Sequence, residues 1–323
     1  MNVDSRSVRD KLFDQLRLPI MAAPMFLVSG PDLVIAQCKA GVLGSFPALN
    51  ARSATQLDDW LHAIGENCGS IPFAVNLIVH GSNRRLDEGL NMCAKHEVPV
   101  VITSLGARSE INSAIHGYGG LVLHDIIHDQ HARKAVERGA DGIVAVAAGA
   151  GGHGGTQSPF ALIQEIRTWY DGPLALAGAI SNGRSLLCAR VLGADCGYIG
   201  SPFIATHEAS ADEAYKAMVV SSTAADVIYT DRLSGIAGNY LRPSILRAGL
   251  DPDNLGDLEE RLGLGKPNPE AKIWKDIWGA GQGIGAIDRI TSTAALIGRF
   301  AREYDDATRA IAGLTARRPL ADG

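Results

Sequence analysis

The stretch GIVAVAAGAGGHGG, residues 142–155, is the one on which the reading of this chain turns. An apolar run from Gly142 to Ala147 passes directly into a glycine cluster that carries a single histidine, His153. A run apolar at nearly every position reads as a strand buried on both faces, which is the mark of a parallel sheet covered by helices. Glycines permit close backbone approach and left-handed conformations, and an imidazole among them titrates near neutral pH. The plain alternative is a flexible turn with an incidental surface histidine.

Working outward, seven more runs of the same kind recur: PIMAA (19–23), GVLGSF (41–46), FAVNLIV (73–79), VPVVIT (98–103), LVLHDI (121–126), PLALA (173–177) and CGYIG (196–200). Helix-compatible segments lie between them and end on glycine: residues 31–40 run into Gly41, His131 to Arg138 into Gly139, and Gly183 to Leu192 into Gly193. Eight strand-helix units in about 200 residues predict an α/β fold, a (β/α)8 TIM barrel, whose chemistry sits at the carboxyl ends of the strands. Residues 1–207 form the barrel in this reading. From residue 208 to 272 the rhythm stops, which predicts an inserted, mainly helical subdomain serving as a substrate lid, with a loop at 263–269. Residues 273–323 return to the barrel, with a last helix from about Ile290 to Ala312 and a frayed tail at 315–319.

Composition narrows the function. A hydrophobic fraction of 46% with 20% charged residues describes a globular chain rather than a disordered one. A net charge of -5 without basic runs gives no footprint for nucleic acid or a membrane surface. The mixed charges of residues 1–17 predict no secretory signal, and the five scattered cysteines, without CxxC spacing, fit reduced thiols of a cytoplasmic protein. His124, His128 and His131 have a metal-like spacing, but they straddle a strand end and a helix start, so no metal site is expected and His128 and His131 read as solvated residues or helix caps.

The unusual residues fall at the expected strand ends. Asn76 interrupts the third strand, His124 and Asp125 end the fifth, and Gly178 to Gly183 and Gly200-Ser201 follow the seventh and eighth. Backbone amides in the last two segments, at helix starts, form a candidate cradle for a phosphate dianion. Taken in order, Ala22-Ala23-Pro24-Met25, Val75-Asn76, Ala150-Gly151-Gly152-His153, Ala177-Gly178-Ala179-Ile180 and Gly200-Ser201-Pro202-Phe203-Ile204-Ala205-Thr206 resemble the nitronate monooxygenase family, formerly called 2-nitropropane dioxygenases. The resemblance spans nearly the whole chain.

The resemblance implies an FMN-dependent oxidoreductase that oxidises alkyl nitronates with O2. Pro24, Met25 and Phe26 would then line the isoalloxazine, Asn76 would bond its polar edge, Ala150 and Gly151 would flank it, and Gly178, Ala179, Gly200 and Ser201 would hold the phosphate. His153 matches the family's active-site histidine, and Gln282, in a segment resembling the family's closing one, would reach the flavin. Departures are Gly149 for a common glutamate, Gly154 for an arginine, and Ser201-Pro202 for Thr-Arg. Asp125 stands where some related quinone reductases carry lysine. Two other functions stay open: an NAD(P)H-dependent quinone or enoyl-thioester reductase, and a flavin-binding protein without this catalysis. His124 and Asp125 are either substrate residues or a buried pair; Tyr229 and Tyr240 either shape a substrate pocket or pack the insertion. Trp274 and Trp278, four apart, read as helix packing. The oligomeric state is open, a homodimer included.

Overall fold

The computed structural model of the chain describes residues 5–256 and 273–315. Each of the eight expected runs forms a strand: β1 (Ile20–Ala22), β2 (Gly44–Pro47), β3 (Phe73–Ile78), β4 (Val100–Ser104), β5 (Leu121–Ile126), β6 (Gly142–Val146), then, after a two-residue β7 (Gly152–His153), β8 (Leu174–Ala177) and β9 (Cys196–Ile199). All barrel neighbours pair parallel in the order β1-β9-β8-β6-β5-β4-β3-β2. Ala22 N–H donates to Leu43 O (2.8 Å) and Leu43 N–H to Ile20 O (3.1 Å), which joins β1 to the residue before β2 and closes the ring. The chain is a (β/α)8 barrel.

A preceding helix, α1 (Ser5–Phe13), inserts Val8 and Leu12 under the barrel, where they join Met21, Leu43, Ala74, Val100, Ile102, Leu123, Val144, Ala175 and Cys196 in the interior core. The outer helices are α2 (Pro31–Lys39), α3 (Ala54–Asn67), α4 (Leu86–Lys95), α5 (Ser109–His116), α6 (Asp129–Glu137), α7 (Pro159–Arg167) and α8 (Gly183–Leu192). Their stops are the glycines read from sequence: Gly41, Gly139 and Gly193 all take positive φ, a conformation that costs glycine little. His128 caps α6 by accepting from His131 N–H.

Beyond the barrel come α9 (Ser201–Ile204), α10 (Glu213–Ser221), β10 (Val227–Thr230), β11 (Gly238–Leu241), α11 (Arg242–Arg247) and α12 (Thr293–Thr315). Within the insertion expected over 208–272, the described part holds the helices α10 and α11 together with a β-hairpin that the sequence pattern did not announce, β10 paired antiparallel with β11. Val227-Ile228-Tyr229-Thr230 is a β-branched and aromatic run, and its partner lies across a turn that contains Ser234-Gly235. The rest of the insertion, with the expected loop at 263–269, lies outside the described residues, as does the tail beyond Thr315. α12 packs on α8 and α2. Glu208 anchors its start, accepting from Thr293 N–H (3.0 Å) and Oγ1–H (3.0 Å).

Candidate active site

Alternation along the strands decides which side chains enter the barrel mouth. Ala74, Ile102, Leu123 and Cys196 belong to the interior core, so two residues on Asn76, Ser104, Asp125 and Tyr198 point the same way, one layer nearer the carboxyl end. All four line a cavity of about 430 Å³ at the mouth. His124 has the opposite phase. It lies outside the cavity, buried, with Nδ1 2.6 Å from Thr103 Oγ1, and burial followed by the charge of His131 pushes its pKa down to about 4. The substrate reading of His124 is withdrawn on that ground, whereas Asp125 stays. Burial pushes the Asp125 carboxyl up to about 6, against hydrogen bonds from the Ser104 side chain and the Leu105 backbone.

The cavity brings together Pro24, Met25, Phe26, Asn76, Ala150, Gly151, His153, Gly178, Ala179, Gly200 and Ser201. Asn50 grips the loop after β1, its Nδ2 donating to Met25 O (3.0 Å) and Ser29 O (2.8 Å) and its Oδ1 accepting from Leu27 N–H (3.0 Å). Asn76 Nδ2 donates to Ile102 O (3.0 Å) and Ser104 Oγ (2.7 Å). Because a carbonyl only accepts, this fixes the amide orientation, and among the described residues Asn76 Oδ1 has no protein partner. Gln282 does not line the cavity; its backbone N–H donates to Gly149 O (2.9 Å).

The candidate anion cradle is narrower than the sequence suggests. Ser181 and Asn182 N–H both donate to Ser185 Oγ (3.1 and 3.2 Å), and Gly183 N–H donates to Glu303 of α12 (2.8 Å). The N-terminus of α8 is thus already satisfied from within, with a carboxylate where an anion would sit. Gly178, Ala179, Ile180, Ser181, Gly200 and Ser201 line the cavity wall, and of these Ala179 N–H already donates to Gly149 O (3.3 Å). Gly178 (φ 142°) and Ala179 (φ 53°) are both left-handed, and Ala179 takes that strained conformation without being glycine. Ser201 Oγ accepts from Gly281 N–H (2.8 Å), so its own hydrogen is free to donate.

His153 is not on a flexible turn. Gly152 and His153 form β7, which pairs antiparallel with β11 in the register Gly238↔His153. The insertion hairpin therefore clamps the histidine. Tyr229 Oη donates to Gly154 O (2.8 Å), and buried Tyr240 lies 2.9 Å from Ser234 Oγ, which is 3.2 Å from His153 Nε2. Neither tyrosine lines the cavity, so both support the histidine strand rather than a substrate. Burial holds the His153 pKa below the ordinary imidazole value.

Trp274 completes that wall. Its ring stands edge-on to His153 (centroids 5.2 Å, 85°) and 5.0 Å from Tyr240. The helix-packing reading of Trp274 and Trp278 is corrected, since residues 273–281 are irregular and Trp274 has φ 71°. Trp278 instead stacks on Tyr215 (4.8 Å, 12°) with Arg247 over its ring (3.7 Å), and the Tyr215 hydroxyl donates to Gly279 O. Ser104 and Tyr198 were legible as residues in phase with Asn76; Asn50, Ser234, Trp274 and Glu303 act through long-range contacts that no local pattern announces.

The sequence pattern that defines the nitronate monooxygenase family matches residues 53–303. The chain belongs to the nitronate monooxygenase family. It is similar to a nitronate monooxygenase of Paraburkholderia phytofirmans, 27% identical over 282 residues that cover 72% of this chain and 76% of that protein. Among solved structures, FabK from Thermotoga maritima superposes with a TM-score of 0.81 at 26% identity, covering 97% of this chain and all of that one. The nitroalkane oxidase of Streptomyces ansochromogenes shares the fold, with a TM-score of 0.78 at 23% identity over 93% of this chain and 99% of that one. The chain is an oxidoreductase of a flavoenzyme family. Among the described residues no helix is long and apolar enough to cross a membrane.

Proposed function

We propose that the chain is an FMN-dependent nitronate monooxygenase that oxidises alkyl nitronates, and the nitroalkanes from which they form, with O2. The residues present fit FMN. A cavity of this size lies within the range of cofactor sites, about 300–1,000 Å³, Asn76 offers an unpartnered acceptor for a ring N–H, and Ser201 offers an unused hydroxyl donor beside a left-handed backbone turn. Pro24, Met25, Phe26, Ala150 and Gly151 would bound the ring, and Gly178, Ala179, Gly200 and Ser201 would hold the phosphate. Bound there, FMN supplies electron acceptance and the reaction with O2.

The observation that carries the reading is His153, fixed on a strand at the cavity wall and kept neutral by burial. A neutral imidazole can take the proton from carbon beside a nitro group, leaving a nitronate. No lysine or arginine lines the cavity among the described residues, so an anionic substrate is held by backbone and neutral donors. Protonation switches the base off, and because burial lowers the pKa, kcat/KM for a neutral nitroalkane should rise with pH and level off below the ordinary imidazole value. His153→Ala should leave FMN bound and lower nitroalkane turnover by about 10²-fold or more. Unchanged turnover removes His153 from the reaction.

A further inference from the structure

We propose that Ser234 is a positioning residue that holds His153 in the Nε2–H tautomer and thereby makes Nδ1 the proton-accepting atom. The tautomer follows from hydrogen-bond accounting alone; its catalytic meaning rests on the monooxygenase reading.

Ser234 Oγ has one hydrogen and two lone pairs. It lies 2.9 Å from Ile236 O, 2.9 Å from Tyr240 Oη and 3.2 Å from His153 Nε2. Ile236 O is a carbonyl and can only accept, so it takes the serine hydrogen. Tyr240 is fully buried, and Ser234 is the partner the structure gives its hydroxyl, so the phenol donates to Oγ. The remaining lone pair is approached by two nitrogens, Ile236 N–H at 3.4 Å, the long limit of a hydrogen bond, and His153 Nε2 at 3.2 Å, so the closer Nε2 carries the hydrogen that fills it. Nδ1 then carries the free lone pair. It has no protein partner among the described residues, and it is not one of the buried unpaired polar atoms.

The arrangement is built by the insertion. Ser234 lies in the turn between β10 and β11, and the Gly238↔His153 pairing brings it to a histidine 81 residues earlier. In the reaction the C–H bond beside the nitro group breaks, its electron pair stays on the substrate as the nitronate, and the proton goes to Nδ1. Nε2–H keeps its bond to Ser234 in both charge states, so the serine also steadies the imidazolium. A preformed nitronate skips this step.

The test is the nitrogen NMR spectrum of the full chain labelled with 15N-histidine, with the His153 signals assigned by their loss in His153→Gln. The unmodified protein should show Nε2 protonated and Nδ1 bare at neutral pH. Ser234→Ala should show a mixture of tautomers, and Ser234→Thr should restore the original spectrum. In turnover, Ser234→Ala should lower kcat/KM for a neutral nitroalkane by about fivefold, the bias of one neutral hydrogen bond, with little change for the preformed nitronate. A protonated Nδ1 in the unmodified protein, or an unaltered spectrum in Ser234→Ala, overturns the proposal. The stated tautomer and its loss in Ser234→Ala, in a protein that turns over neither substrate, would uphold the positioning role and fell the monooxygenase reading instead.

Discussion

Replacing Gly151 by alanine tests how the glycine loop after β6 and the segment at 279–281 fit together. A Cβ at position 151 would stand 2.7 Å from Gly281 N and 2.9 Å from Ala280 C. Both are backbone atoms, so no rotamer change relieves the contact. Nor can the segment retreat freely: Gly281 N–H is bonded to Ser201 Oγ (2.8 Å), Ala280 is buried, and Gly279 O receives the Tyr215 hydroxyl. The methyl must push Gly281 off Ser201 or push its own loop into the cavity. Overpacking of this kind costs about 1–3 kcal/mol, which at about 2 °C per kcal/mol for a large domain lowers Tm by about 2–6 °C. Because Ser201 lies at the proposed phosphate end, FMN affinity should fall as well, by about tenfold for each 1.4 kcal/mol of strain expressed there. Gly154→Ala is the control: its nearest neighbours would be 3.6 Å from the new Cβ, and its φ is not left-handed. Thermal denaturation followed by circular dichroism, with FMN titrated by fluorescence quenching, reads both effects. A Gly151→Ala protein that melts and binds FMN like Gly154→Ala refutes this packing.

Two further predictions concern the fold around the site. Asp125, raised to about 6, protonates in the folded chain before it does in the unfolded one, so its burial penalty is relieved as pH falls from about 6 towards 4. His124, lowered to about 4, stays neutral while the unfolded imidazole protonates, so its penalty grows over the same interval. At about 1.4 kcal/mol per pH unit the ceiling is about 3.5 kcal/mol for His124 and about 3 kcal/mol for Asp125, less for Asp125 because part of its surface opens to the cavity, and the two oppose each other. Asp125→Asn should therefore make the urea midpoint fall more steeply between pH 6 and pH 4.5 than that of the unmodified chain; parallel pH profiles would refute the opposition. Glu303→Ala removes the carboxylate at Gly183 N–H and should destabilise the chain by about 1 kcal/mol in urea unfolding; an unchanged midpoint would show that α8 needs no partner from α12.

Local pattern made the barrel legible. Strands such as β6 and β8 are short, nearly all apolar and followed by glycine, so burial on both faces could be read residue by residue. Asn76 and Asp125 stood out for the same reason, as polar side chains in apolar runs. What the pattern could not convey is pairing at a distance. β7 has only two residues, and it exists as a strand because β11, some 85 residues on, supplies its hydrogen-bonding edge. The same distance hid Ser234, Trp274 and Glu303. His124 misled because adjacency to Asp125 suggested a shared role, whereas alternation in a strand sends neighbours to opposite faces. The helix start at Gly183 looked open to an anion, since nothing in its own sequence reveals that Glu303 returns to fill it.

At the centre of the proposed function is a cavity that presents a nitronate to FMN, with His153 needed only to form that nitronate from a neutral nitroalkane, and that uses no pyridine nucleotide. It is tested most directly by reconstituting the protein with FMN, removing oxygen, and following the flavin absorbance as a preformed alkyl nitronate or NAD(P)H is added. Rapid bleaching by the nitronate and none by NADH or NADPH is expected. Bleaching by NADH or NADPH, with no response to the nitronate, would contradict it and assign the site to a reductase.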